Sequence, residues 1–382
     1  MGKLVLITGG AGFIGSNLAL KLLAKGYRVR ILDNLSPQIH GANPEVTSFL
    51  YGTIKNKCEF ILGSVINDKD IATAMSGVNY VIHLAAETGT GQSMYQIAKY
   101  VEINSIGTAK LLDYIVNHKN EVEKFIIASS RSIYGEGKYY SAELGKFVFP
   151  LSRSPQQLEA GDFDVKYNGV NSPLSLCATD EDSAINTESL YAVTKFNQEQ
   201  MALTVCKSIG ISCVAFRYQN VYGPGQSLIN PYTGILAIFS SLINSGSTIR
   251  IFEDGLESRD FVYIDDVTDA TIMGMEANIF NEVFNIGYGE PISVIRVANT
   301  LMDCYNRKTE MIITGEFRLG DIRHNYADIT KIKKVLGFTP KINFEEGIRK
   351  FASWVKIQRP VSSSSESYER SLEELREKGL MK

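Results

Sequence analysis

The sequence predicts an α/β fold: a doubly wound parallel sheet followed by a smaller mixed α/β substrate domain. Three observations predict it. A short apolar run, LVLIT, meets glycines at Gly9, Gly12 and Gly15 and opens into a helical pattern. Short apolar strands then alternate with helical periodicities, the pattern of a sheet covered on both faces by crossover helices. Far downstream, Tyr191 and Lys195 stand four apart in SLYAVTKFNQEQ, on one face of a predicted helix. Together these point to a Rossmann-type sheet.

Residues 3–8 read as a buried strand, 12–24 as a helix and 27–32 as a second strand. Further strands are expected at 59–62, 80–84, 125–129 and 213–218, separated by helices near 68–76, 92–118 and 189–208. The stretch 135–187 carries little periodicity and much Gly, Ser, Asp and Pro. Its Tyr and Phe content favours an ordered lid over the site rather than a disordered insertion. Beyond it the pattern turns to mixed helix and short strand, closing in a helix near 344–358 that contains Trp354. The expected division is 1–216 for dinucleotide binding, 217–358 for an interleaved substrate-binding subdomain, and 359–382 for a charged tail read as a solvated terminal helix.

The chain has 382 residues, 44% hydrophobic and 21% charged, enough to bury a large core. A net charge of -3 argues against a surface built to neutralise nucleic acid. No segment reaches the roughly 18 apolar residues of a membrane span, and the opening run is too short for a signal sequence. No membrane association and a cytoplasmic, reducing setting are therefore expected. Cys58, Cys177, Cys206, Cys213 and Cys304 show no CxxC spacing and read as free thiols.

The glycines follow a strand and open a helix, the context a dinucleotide fingerprint requires. Gly9 permits the tight turn, Gly12 the approach of backbone NH groups to a pyrophosphate, and Gly15 close packing of helix on strand. Asp33 closes the second strand 18 residues beyond Gly15, where a carboxylate accepts both adenosine ribose hydroxyls and repels a 2′-phosphate. NAD is therefore expected over NADP. Arg28 and Arg30 alternate with Val29 and Ile31 and read as solvated surface.

In the Tyr191–Lys195 pair, the ammonium is placed to stabilise a phenolate. A tyrosine titrating near 10 needs a depression of about 3 units, roughly 4 kcal/mol, to act as a base at pH 7. One charge about 4 Å away at an effective dielectric of 20 supplies about that amount. Ser130 ends a strand in FIIASSRSIYG, at the sheet edge where open α/β folds bind ligands, with Ser129 as an alternative occupant. His83 reads as a packed residue.

The strings TGGAGFIG, HLAA, SSRSIYG, YAVTK, FRYQNVYGPG and RDFVYIDDV occur in an order that resembles the extended short-chain dehydrogenase/reductases, in particular the nucleotide-sugar epimerases and dehydratases. The resemblance spans about residues 3–355. It implies Ser130, Tyr191 and Lys195 as the catalytic set. It also implies a retained NAD along Gly9, Gly12, Phe13, Ile14, Gly15, Asp33, Asn34, Ser64, Val65, Leu84, Ala85 and Ala86, as well as Tyr191 and Lys195. The family often has Asp after the glycine that follows the third strand. Here Ser64 stands instead, weakening that adenine contact or passing it to Ser64 and Val65.

For the nucleotide sugar, the resemblance implies Asn220, Arg259, Arg318 and Asp321 at the diphosphate and ribose. Thr88, Gln92, Arg131 and Ser132 are candidate sugar contacts, and Arg323 is either a surface ion pair or a phosphate contact. Sugar dehydratases of the family carry carboxylates directly after the catalytic hydroxyl. This chain has Arg131 and Ser132, and a permanently charged Arg does not deliver the proton that dehydration requires. Epimerisation is therefore expected. The strings GQSMYQIAKYVEINSIGT, SSRSIYGEG and NPYTGILAIF, the insertion and the charged tail together are similar to the dTDP-L-rhamnose 4-epimerases, which interconvert dTDP-L-rhamnose and dTDP-6-deoxy-L-talose. Relatives with this insertion can carry paired cysteines, whereas Cys177 stands alone, so no metal is expected. A homodimer through the helices near 92–118 and 189–208 is implied. The rival readings are a UDP-, CDP- or GDP-sugar epimerase or reductase, and a non-catalytic NAD-sensing regulator.

Overall fold

The computed structural model describes residues 2–228, 230, 234–358 and 364–382. Residues 231–233 of NPYTGILAIF and the first part of the tail, 359–363, lie outside the described residues. Seven parallel strands form the main sheet: β1 (Leu4–Thr8), β2 (Arg28–Asp33), β3 (Glu59–Leu62), β4 (Tyr80–His83), β5 (Lys124–Ser130), β6 (Ser212–Tyr218) and β7 (Glu282–Ile286). Their spatial order is β7-β6-β5-β4-β1-β2-β3. The chain winds outward from β1 to β3, returns to β4 on the other side and continues to β7. The reversal opens a crevice at the carboxyl ends of β1 and β4, where such sheets bind ligands.

Alternation within the strands divides the core. Val5 and Ile7 face one layer, with Leu18 and Leu22 of helix α1 (Phe13–Ala24). Leu4 and Leu6 face the other layer, with Ile71 of α2 (Asp68–Met75), Leu111 and Ile115 of α3 (Gly107–Asn117), and Ala202 of α4 (Leu190–Ser208). The expected helix near 92–118 is a short turn at Thr90–Ser93 and then a continuous helix from Ile97. The latter widens over Val101–Ile106 before it becomes α3.

The second half builds a separate core from α5 (Ile235–Ser245), α7 (Val294–Tyr305) and α8 (Phe344–Ile357), while α6 (Ile264–Glu276) packs beside α1 under the main sheet. It interleaves with the first: β7 comes from beyond the substrate-side strands Asn220–Tyr222 and Ser258–Tyr263, yet pairs with β6. The final helix is α9 (Ser364–Glu377).

Three expectations change. Arg30 is buried rather than solvated, because α2 covers its side of the sheet: the guanidinium donates to the carbonyls of Ala74 at 2.8 Å and Ser76 at 2.6 Å and pairs with Glu59 at 2.9 Å. The 135–187 insertion is an ordered hairpin sheet of Tyr139–Ser141, Lys146–Val148 and Ser175–Leu176, but none of it lines the central cavity. It is tied to the substrate side through Arg153, which donates to Glu253 and to the Asp321 carbonyl. The tail is docked, not solvated: Tyr368, Leu372 and Leu375 are buried against Tyr95, Ile238 and Phe252. All five cysteines are free thiols; Cys206 and Cys213 are buried, the other three partly exposed.

Candidate active site

A cavity of about 640 Å³ runs from the carboxyl ends of β1 and β4 into the second half of the chain. Its first part is the glycine turn. Gly9 has φ +68°, and a Cβ there would lie 2.7 Å from the Ala85 nitrogen. A Cβ on Gly15 would lie 2.6 Å from the Cα of Gly10, so helix and turn touch backbone to backbone. No side chain caps α1 at Gly12, and its first residues, Phe13, Ile14 and Gly15, line the cavity. The uncapped NH groups and the positive helix end form an anion cradle.

Asp33 sits beyond the cradle, accepting from the backbone nitrogens of Ala11 at 2.9 Å and Leu35 at 2.8 Å. Burial raises its pKa against the pull of those bonds. Asn34, Ser64, Val65, Leu84, Ala85 and Ala86 complete this wall. Ser64 donates its backbone NH to Asp70 at 2.9 Å. A dinucleotide finds here a phosphate cradle and a fixed carboxylate.

At the centre, β5 ends in Ser129 and Ser130, and a short 3₁₀ turn, Arg131–Tyr134, starts at once. Both serines line the cavity, but Ser130 is the one within hydrogen-bonding reach of the Tyr191 phenol. Ser130 Oγ also accepts from the backbone nitrogen of Ser132 at 3.2 Å and from its hydroxyl at 2.9 Å. Ser189 caps α4 by accepting from Ala192 at 3.2 Å, so Tyr191 and Lys195 fall on its first two turns, facing the cavity.

The electrostatics differ from the expected pairing. Burial raises the Tyr191 phenol above its ordinary value, opposed by the Ser130 bond and the Arg131 charge. Burial likewise pushes Lys195 down to about 7, with Glu199 acting the other way. Within the chain, then, the positive charge that favours a Tyr191 phenolate comes from Arg131. Lys195 is held by a buried relay: its Nζ donates to Gln198 at 2.8 Å, and Gln198 donates to Thr108 at 2.7 Å. Thr108 bonds His83 Nε2 at 2.8 Å, and His83 Nδ1 bonds Thr8 at 2.6 Å. Burial pushes His83 down to about 3, so it is a neutral packed residue. Asn104 also positions backbone, accepting from the Glu87 nitrogen at 2.7 Å and donating to Thr194 at 2.9 Å.

The far part of the cavity brings together Thr88, Arg131, Ser132, Asn220, Arg259, Arg318 and Asp321. Gln92 does not join them. It is buried against Gln38 and Tyr100, and it is absent from the lining. Arg323 is neither a surface residue nor a cavity residue: it is buried, with Nη1 2.9 Å from Glu253 and 2.6 Å from Asp254.

Against this geometry, residues 5–151 and 169–287 match the NAD dependent epimerase/dehydratase family. The chain belongs to that family. It is 37% identical over 93% of its length to a dTDP-L-rhamnose 4-epimerase of Burkholderia thailandensis, of which the match covers 95%. Among solved structures it resembles a UDP-glucose 4-epimerase of Thermotoga maritima bound to UDP-glucose, at 30% identity and a TM-score of 0.73 over 92% of this chain and 98% of that one. It also resembles a UDP-glucuronic acid 4-epimerase of Bacillus cereus bound to UDP-glucuronic acid and NAD, at 26% identity and a TM-score of 0.73 over 92% and 99%.

This epimerase/dehydratase family member is a nucleotide-sugar 4-epimerase of the extended short-chain dehydrogenase/reductase type, and its cofactor is NAD. The cradle that a Cβ at Gly9 or Gly15 would fill, and the buried Asp33 carboxylate, fit that cofactor's pyrophosphate and adenosine ribose. Sequence reasoning missed Gln198, whose only signal is its place three residues after Lys195 on the same helix face. It also missed the wall that Ile238, Arg250, Phe252 and Tyr368 give the cavity. Tyr368 lies 173 positions from Lys195, and no local pattern joins them.

Proposed function

We propose that this enzyme inverts C4 of a dTDP-6-deoxyhexose, converting dTDP-L-rhamnose to dTDP-6-deoxy-L-talose. The observation that carries the reading is the placement of Ser130, Tyr191 and Lys195 in one cavity with Arg131, rather than a carboxylate, following Ser130. The 37% identity to a curated dTDP-L-rhamnose 4-epimerase supports the choice of sugar.

Tyr191 takes the proton of the C4 hydroxyl, and Ser130 shares that hydrogen bond and guides the oxygen. NAD, held along Gly9, Gly12, Gly15 and Asp33, would supply the hydride exchange at C4 that lets the 4-keto sugar be reduced on its other face. Tyr191 then gives the proton back, so atoms and charge are restored at each turnover. Lys195, set by its bond to Gln198, faces the same cavity and would orient the cofactor. Arg259 and Arg318 hold the diphosphate, Asn220 the sugar phosphate and Asp321 the ribose, while Thr88 and Ser132 contact the sugar. Arg131 stays charged and donates no proton, so water is not expelled.

The same cavity chemistry serves a UDP-hexose, and the likeness to UDP-sugar epimerases favours that as the second reading. The test is protein carrying its own NAD, given dTDP-L-rhamnose and, separately, UDP-glucose, with products read by NMR. A C4 epimer of the first alone supports the proposal, and turnover of the second alone replaces it. Ile97, Val101, Ile106 and Val193 leave an exposed apolar stripe on the helices that precede and include α3 and α4. We infer a homodimer through that face, which light scattering checks.

A further inference from the structure

The cavity extends into the second half of the chain, and Tyr368 of the last helix lines it. Ile238, Arg250, Phe252, Arg318 and Tyr368 line it together. Tyr368 comes from α9 and is 6% exposed, packed in one cluster with Phe252 and Ile238. The Arg318 guanidinium lies over the Phe252 ring at 4.9 Å from its centre, and its buried Nε has no hydrogen-bond partner. Two aromatic rings and a flat cation lining one cavity suit a planar heteroaromatic ring.

The docking of α9 holds this wall in place from both halves of the molecule. On the substrate side, Arg376 pairs with Glu316 at 2.8 Å, and Glu316 pairs with Arg250 at 2.8 Å. The chain end runs antiparallel to the segment bearing Arg318: Phe317 and Lys382 exchange backbone bonds of 2.8 and 3.0 Å, and Leu319 donates to Leu380 at 3.0 Å. On the dinucleotide side, Tyr95 donates to Glu374 at 2.8 Å, and Leu375 packs against Gly91, where an added Cβ would lie 3.3 Å from it.

We propose that α9 is a substrate-binding element, with Tyr368 and the Arg318-backed Phe252 forming the walls of the subsite for the substrate's nucleobase. This rests on the nucleotide-sugar reading above. A sugar placed at Tyr191, with its diphosphate along Arg259 and Arg318, sends the base toward these residues. The tail is thus part of the active site, and two of the residues at the base, Arg318 and Tyr368, lie beyond residue 287, where the family match ends.

The test uses the full-length, NAD-loaded protein titrated calorimetrically with dTDP, with UDP and with inorganic pyrophosphate. Tyr368→Leu keeps the apolar bulk that docks α9 and removes the ring, whereas Tyr368→Phe keeps the ring. Stacking of one base is worth about tenfold to hundredfold in affinity. The expected result is at least about tenfold weaker binding of dTDP or UDP to Tyr368→Leu, a change under about threefold for Tyr368→Phe, and unaltered pyrophosphate binding in both. Unchanged nucleotide affinity in Tyr368→Leu, with melting temperature preserved, overturns the proposal. So does an equal loss of nucleotide and pyrophosphate affinity, which would mean only that the helix had come away. If the unsubstituted protein binds neither nucleotide, the nucleotide-sugar reading fails and this inference with it, a result distinct from the other two.

Discussion

Arg131 donates from Nε to the amide oxygen of Asn220 at 2.6 Å, leaving Nη1 buried without a partner while its charge acts on the Tyr191 phenol. Burial and the nearby Arg259 push Arg131 down to about 9, so it is still charged at neutral pH. Position 131 therefore offers a fixed positive charge where an acid would serve dehydration.

Arg131→Met removes a charge that favours the phenolate. With Tyr191 already raised by burial, its ionisation moves to still higher pH. The activity that depends on the deprotonated phenol should fall about tenfold in kcat at pH 7 and recover as the pH is raised. Arg131→Lys should retain an intermediate profile. The measurement is kcat against pH for the three proteins, and superimposable profiles would refute the role.

The cofactor cradle is tested at Gly9. An alanine there faces the backbone of Ala85 at 2.7 and 2.8 Å, while φ +68° strains any L side chain. Neither neighbour is a flexible side-chain tip. Gly9→Ala should cost about 1–3 kcal/mol of stability and strip the protein of NAD. Thermal melting and the cofactor released on denaturation report the two effects separately.

Asp33→Asn should weaken NAD retention by roughly tenfold to a hundredfold, the value of hydrogen bonds to a charged group. An amide can turn its oxygen to only one of the NH groups of Ala11 and Leu35, which the carboxylate satisfies together. The variant should also discriminate less against NADP, because the repelling charge is gone. Competition between the two cofactors for the stripped protein measures this, and an unchanged ratio would count against Asp33 as the selector.

What the sequence made legible is what local chain geometry dictates. The strand, glycine turn and helix from Leu4 to Ala24 are contiguous, and Tyr191 and Lys195 sit one helical turn apart. Residues whose environment comes from distant chain were misread. Arg30 followed strand alternation correctly, but its side of the sheet is covered by α2, and the carbonyls of Ala74 and Ser76 at the end of that helix hold it. Gln92 follows the loop after β4 as expected, yet Gln38 and Tyr100 draw its amide away from the cavity. The tail, expected to be solvated, lines the cavity, because which segment reaches a site depends on docking partners such as Tyr95 and Phe252.

The insertion's contribution is tested at Arg153, a buried side chain that ties it to the substrate side. Its Nη1 donates to Glu253 at 2.7 Å, its Nη2 donates to the Asp321 carbonyl at 3.0 Å, and its Nε lies 3.4 Å from Glu136. Burial raises Glu136 to about 7, while Arg153 is the largest influence holding it down. A carboxyl raised from 4.5 to about 7 binds its proton more tightly folded than unfolded, so stability falls as the pH rises between those values. Arg153→Met removes the opposing cation and leaves Glu136 and Glu253 short of a partner, at a cost of about 3–5 kcal/mol when both are ionised. At pH 6 Glu136 is already mostly protonated and loses little with Arg153; at pH 8 it is mostly ionised in the unsubstituted protein and loses the cation that favours that charge. The loss in melting temperature should therefore be larger at pH 8 than at pH 6, and Glu136→Gln in the same background should narrow the gap. An equal loss at both pH values would show that Arg153 acts by packing alone.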